Sequence, residues 1–215
     1  MPAPSLPGRP SALSSQPLPM KKLSPADLWK LEDYARERPA FRARVLAHKQ
    51  ARTIHLGAHL TLLFEDRLTV QYQVQEMLRI ERIFEADGIA DELAAYNPLI
   101  PDATNLKATL LIEYDDVAER RRELERLRGI EHDLQLVVDG HPPIVAIADE
   151  DLERSNESKT SAVHFLRFEL DPAAISAFRA GARVHFAIDH PHYHATSELD
   201  NAQRSALLAD FGAEG

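Results

Sequence analysis

His190, His192 and His194 occupy every second position in Asp189-His190-Pro191-His192-Tyr193-His194-Ala195, and they are three of the chain's ten histidines. In an extended stretch, alternation places all three imidazoles on one side. Neighbours then lie roughly 6.7 Å apart along the strand, and two can lean onto one ion with bonds of about 2.0–2.1 Å. The outer pair, about 13 Å apart, cannot share that ion without strain. The expected metal site takes two of the three plus a remote donor, with His55, His59, His164 and His185 in or beside expected strands. Pro191 cannot donate to a ladder, which puts the stretch at an edge or a bulge. The competing reading is a set of partly exposed histidines that ends the last strand and binds nothing.

A second constellation is Gln73, Glu76, Arg79, Glu81 and Arg82. On a helix at about 100° per residue, Glu76 falls at the angular centre of Tyr72, Ile80 and Ile83, an expensive place for a charge. Arg79 is three residues on and hence a surface neighbour. Glu76 is expected to be largely buried and paired with Arg79 or Arg52. It is either an ion pair that fixes helix packing, or a catalytic general base or metal ligand. A third feature is the basic island of Arg36, Arg38, Arg42, Arg44, Lys49 and Arg52, set against the single acid Glu37. Fixed guanidinium groups grip carboxylate or phosphate with two bonds, so Arg42, Arg44, Arg52 and Arg79 are candidates for binding an acidic partner or an anion. The plainer alternative is a solvated helix face.

Composition narrows these chemistries. The absence of cysteine excludes disulfides, thiolate zinc sites, a cysteine nucleophile and cysteine-ligated iron–sulfur clusters, which leaves His, Asp and Glu as strong ligands. The expected cofactor is a divalent transition metal: iron, zinc or manganese. A net charge of -9 repels a polyanion, so nucleic acid is not an expected partner. Apolar runs such as residues 60–64 fall far short of the roughly 18 residues a membrane span needs, and a cytoplasmic location is expected. The H-E-x-x-H and E-x-x-H metal motifs, the serine-hydrolase elbow, the P-loop and the Gly-rich dinucleotide turn are all absent from the sequence.

The elements that must position these residues follow a tail at residues 1–20, rich in proline and serine and expected to be disordered. Ser24-Pro25-Ala26-Asp27 combines a capping hydroxyl, proline at the first helical position and an acid, predicting a helix start with Leu28, Leu31 and Tyr34 as its stripe. Beyond Pro39 a second helix is expected over 41–50. Residues 53–65 read as extended chain broken at Gly57, and residues 68–84 as a helix. Shorter helices are expected over 90–96, 115–128 and 172–180, and strands over 108–114, 134–138, 144–148, 163–169 and 183–188. The sum is a single α+β domain over 21–215, with a helix-rich N-terminal half and a mainly antiparallel, sheet-rich C-terminal half.

The stretches TIHLGAHLTLLFEDRLTVQYQVQEMLRIERI, ELAAYNPLIPDATNLKATLLIEYDD and DHPHY resemble a bacterial domain family of unknown function. The likeness spans about residues 21–210, and the helix carrying QEMLRIE and the loop YNPLIP are its most distinctive parts. Family members are often encoded beside rubrerythrin-type peroxidases and iron–sulfur oxidoreductases. The resemblance thus implies a role in oxidative stress or iron redox metabolism with such proteins as partners, and it identifies no catalytic residue. The leading expectation is a cytoplasmic accessory protein of a peroxide-reducing or iron redox system that binds a transition metal through histidines. A non-catalytic adaptor docking a redox partner, and a metal-dependent oxygenase or hydrolase with Glu76 as base, stand beside it.

Overall fold

The computed structural model describes residues 20–150, 154–155 and 158–212. The expected disordered tail lies, up to residue 19, outside them. The chain is α+β, with six α-helices among the described residues and two antiparallel sheets. Helices dominate the N-terminal half and strands the C-terminal half.

The first helix departs from expectation at both ends of its reading. Ser24 and Asp27 do cap each other, with the Ser24 backbone N–H donating to the Asp27 carboxylate at 2.8 Å, but they close only a 3-10 turn at Pro25–Asp27. Leu28 is extended, and the helix α1 (Leu31–Gln50) begins later and runs straight through Pro39. Proline there forfeits one backbone bond and crowds the carbonyl of Ala35. Burial of Tyr34 before it and of Phe41 and Val45 after it holds one continuous helix in place of two.

Residues 53–64 form a hairpin of β1 (Thr53–Leu56) and β2 (Leu60–Phe64), turning at Gly57 with φ 70°. Asp66 caps α2 (Arg67–Glu81), accepting from the Thr69 N–H at 2.9 Å, and α3 (Ala86–Tyr96) follows. The buried residues of α2 are Thr69, Val70, Val74, Gln75 and Leu78, while Ile80 is 58% exposed. The apolar face expected around Glu76 is therefore rotated away from it, and Glu76 faces α1 instead.

The remaining elements are β3 (Asn105–Ile112), α4 (Val117–Arg126), β4 (Leu134–Val138), β5 (Ile144–Val145), β6 (Ile147–Ala148), β7 (Val163–Glu169), α5 (Pro172–Arg179), β8 (Val184–His190), β9 (Tyr193–Glu198) and α6 (Asn201–Leu208). One sheet has the order β1-β2-β3-β7-β6 and the other β5-β4-β8-β9. The strand expected over 144–148 is split at Ala146, so that β5 pairs with β4 in one sheet and β6 with β7 in the other. Their inner faces share a core in which the Phe186 ring lies 5.1 Å from Phe64 and 5.3 Å from Phe168, centroid to centroid. Each such phenyl group removed from water contributes about 1.5–3 kcal/mol.

The histidine-rich stretch is a turn and not one strand. Asp189 pairs with His194 and His190 with Tyr193, so Pro191 and His192 form a two-residue hairpin connection between β8 and β9. Proline is at home there because the connection needs no ladder donor. Since 190 pairs with 193, His190 and His194 project to opposite faces, and a further strand and helix follow the expected last strand.

Candidate functional site

The hairpin gives its histidines separate tasks. His190 is buried; its Nε2 donates to the Arg128 carbonyl at 3.1 Å, and its Nδ1 accepts from the His192 backbone N–H at 3.2 Å. Both ring nitrogens are thereby engaged. The His192 ring lies 5.7 Å from that of His190, and His194 is exposed with its Nδ1 2.6 Å from the Asp189 carboxylate. His59 stacks on Tyr114 at 4.0 Å and donates from Nδ1 to the Glu113 carbonyl at 3.0 Å. It is joined to the hairpin only through its backbone N–H, which donates to the Tyr193 hydroxyl at 3.2 Å. The shared imidazole face expected of His190, His192 and His194 is not formed.

Glu76 is the hub of an ion-pair network. It accepts two bonds from Arg38, at 2.7 and 2.8 Å, one from the Tyr34 hydroxyl at 2.7 Å, and one from Arg79 Nη2 at 3.1 Å. The Arg38 guanidinium is the main reason its carboxyl falls to about 2, helped against burial by Tyr34 and Arg79. A carboxylate so well satisfied is a weak base, which matches a packing role better than catalysis. Arg79 was expected as its partner, Arg38 was not, and Arg52 belongs elsewhere.

Arg52 is buried and unavailable to a partner protein. It donates to the carbonyls of Phe64 at 3.0 Å, Glu65 at 3.1 Å and Ala206 at 2.8 Å, and it contacts the buried carboxylate of Asp210. Asp66 lies 3.7 Å away on the same guanidinium and also meets His48 Nε2 at 2.5 Å. Burial pushes the Asp210 carboxyl up to about 7, against the Arg52 charge. Arg42 and Arg44 remain exposed on α1, with the Arg44 guanidinium 5.8 Å from the Phe41 ring centroid.

A different cluster gathers ligand chemistry. Glu131, Asp149 and His164 each bring one donor atom within 4.8 Å of the others, and Glu131 and His164 are buried. Glu131 sits in the 3-10 turn Ile130–His132, just after Gly129 at φ 84°. Asp149 follows β6 in a left-handed conformation, φ 50°, unusual outside glycine. His164 is carried on the inward face of β7, where Leu166 and Phe168 are also buried.

The hydrogen bonds orient the imidazole. Its Nδ1 is 2.6 Å from the Asp149 carboxylate, which also accepts from the Phe165 backbone N–H at 3.0 Å. Its Nε2 faces the Thr160 hydroxyl at 2.8 Å, the Ser161 carbonyl at 3.1 Å and the Glu131 carboxylate at 3.8 Å. The Thr160 hydroxyl is itself 3.1 Å from Glu131, and Ser155 donates to the other Glu131 oxygen. Burial opposes the charge on Glu131, but Ser155, a backbone N–H, His164 and Thr160 outweigh it and hold the carboxyl below its ordinary value. With Nδ1 donating to Asp149, Nε2 keeps its lone pair, which can accept from the Thr160 hydroxyl and is the pair a metal ion would take.

Only His164 of this cluster was visible as a candidate, as a remote donor to the histidine hairpin. The available signal was its position in register with Leu166 and Phe168 on an otherwise apolar strand face. Glu131 and Asp149 sit in turns with no periodicity to mark them.

Fold and cluster together define an α+β protein with a largely buried carboxylate–imidazole cluster of Glu131, Asp149 and His164. The chain belongs to the family described as "Protein of unknown function (DUF3501)", whose model matches residues 22–211. It is similar to a protein of unknown function from Burkholderia pseudomallei seen in a crystal structure, with 51% sequence identity and a TM-score of 0.84, over 88% of this chain and 99% of that one. No curated protein matches the chain. No helix among the described residues is long and apolar enough to cross a membrane.

Proposed function

We propose that this chain is a cytoplasmic, metal-binding accessory protein, and that its ion sits at His164 Nε2 with Glu131, in place of the His190 and His192 site expected from the sequence. The observation that carries the reading is the gathering of one ligand atom each from Glu131, Asp149 and His164 within 4.8 Å, with Asp149 against Nδ1 and Glu131 3.8 Å from Nε2. A carboxylate behind a ligating imidazole fixes its tautomer and raises its basicity. One imidazole among oxygens favours manganese or ferrous iron over zinc, whose structural sites draw on more nitrogen or sulfur. The rubrerythrin-type and iron–sulfur redox proteins implied by the family resemblance are the partners we propose for it.

Equilibrium dialysis of untagged protein against manganese, ferrous iron and zinc, under anaerobic conditions, tests the reading. About one equivalent is expected for the wild type and for His190→Ala with His192→Ala. Loss of the metal is expected for Glu131→Gln and His164→Ala, and a 10- to 100-fold weakening for Asp149→Asn. Retention of metal by His164→Ala and its loss from the hairpin double variant would return the site to His190 and His192.

A further inference from the structure

A cavity of about 830 Å³ lies on the outer side of the β3–β7 sheet, away from the buried cluster. Its walls include Tyr96, at the end of α3, Leu99 in the 3-10 turn Asn97–Leu99, and Phe165 on β7. Its volume is in the range of pockets that enclose a small organic molecule, about 300–1,000 Å³.

The charges around it cancel within the protein. Lys22 and Lys107 both meet Asp102, each at 2.7 Å. Arg167 meets Glu150 at 2.8 Å and Glu169 at 2.5 Å. Three cations thus face three carboxylates, so the lining carries no net charge to draw in an ion. A neutral ligand breaks none of these pairs.

Hydrogen-bond donors nevertheless remain. Arg167 uses three of its N–H groups on Glu150 and Glu169, which leaves two of the five that a guanidinium carries. The Tyr96 hydroxyl has no hydrogen-bond partner among the described residues. Both can donate to an acceptor oxygen, while Phe165 and Leu99 supply apolar walls. The Phe165 ring is already fixed, with the Arg154 guanidinium 4.5 Å from its centroid.

We propose that this cavity binds an uncharged, ring-containing small molecule bearing a carbonyl oxygen, held between Tyr96, Leu99 and Phe165 with the oxygen toward Tyr96 and Arg167. The site stands independently of the metal reading, since none of its lining side chains belongs to the Glu131–Asp149–His164 cluster. Such a ligand gains the apolar contact of the walls and satisfies donors that the protein leaves open, without disturbing an ion pair.

The test titrates the full chain with prodan, a neutral naphthalene carrying one carbonyl, and follows its emission. Saturable one-to-one binding with a blue shift is expected. Tyr96→Phe, which keeps the ring and removes only the donor, should weaken it about fivefold. Phe165→Ala should weaken it about tenfold or more, with thermal melting of both variants confirming that they fold. Non-saturable binding, equal affinity in folded Tyr96→Phe and Phe165→Ala variants, or tighter binding of the anionic dye anilinonaphthalene sulfonate would overturn the proposal.

Discussion

The carboxylate of Asp149 lies 2.6 Å from Nδ1 of His164 and so turns the opposite nitrogen toward Glu131, across the interior of the protein. Asp149 reaches that position through a left-handed backbone at the end of β6, and His164 through its place on the inward face of β7. Two short-range features of the chain are thus spent on one buried contact.

The Glu76 network should behave as a packing device. Glu76→Ala removes the acceptor of Arg38, Tyr34 and Arg79 and is expected to lower stability by about 2 kcal/mol, measured by urea unfolding. Because its folded carboxyl lies near 2, below the ordinary value of 4.5, its contribution is present above about pH 4.5 and is lost as pH falls toward 2. An unfolding free energy unchanged by the substitution at pH 7, or a Glu76→Ala difference that does not shrink in acid, would show that the network contributes nothing.

Asp210 carries the opposite sign. Its carboxyl is raised from 3.8 to about 7, so the folded state holds the proton more tightly than the unfolded one. Its contribution is therefore present below about pH 3.8 and declines as pH rises through 7. Asp210→Asn, which cannot ionise, should flatten the fall in stability between those pH values relative to wild type. A steeper fall in the variant would mean that the Arg52 contact, and not burial, governs the group.

The reading of the hairpin at β1–β2 rests on Gly57, where an added Cβ would come 2.5 Å from the Tyr193 hydroxyl at φ 70°. Gly57→Ala should cost more than about 1 kcal/mol by combining left-handed strain with this clash. The cost should shrink in a Tyr193→Phe background, because the nearest atom is then gone. Strict additivity in the double-mutant cycle would separate the two residues.

Much of this fold is legible in the sequence because it is written in local patterns. The β1–β2 hairpin follows from a glycine between two apolar runs, and the helix expected over 172–180 matches α5. The α+β class and the antiparallel C-terminal half follow in the same way. Pro39 misled because tertiary packing of Tyr34 and Phe41 overrides a local breaker. The histidine stretch misled because period two is shared by a strand and by a tight hairpin, and only the pairing partner distinguishes them. The Glu131–Asp149–His164 cluster joins a turn, a strand end and a strand at spacings of neither helix nor strand period, so no local pattern marks it.

The most direct test of the metal account is anomalous X-ray diffraction from crystals of the untagged protein soaked in manganese, recorded near the manganese absorption edge. The account predicts a peak bonded to His164 Nε2 and Glu131, with Asp149 still against Nδ1. A peak between His190 and His192, or a fully soaked crystal with no peak at His164, would contradict it.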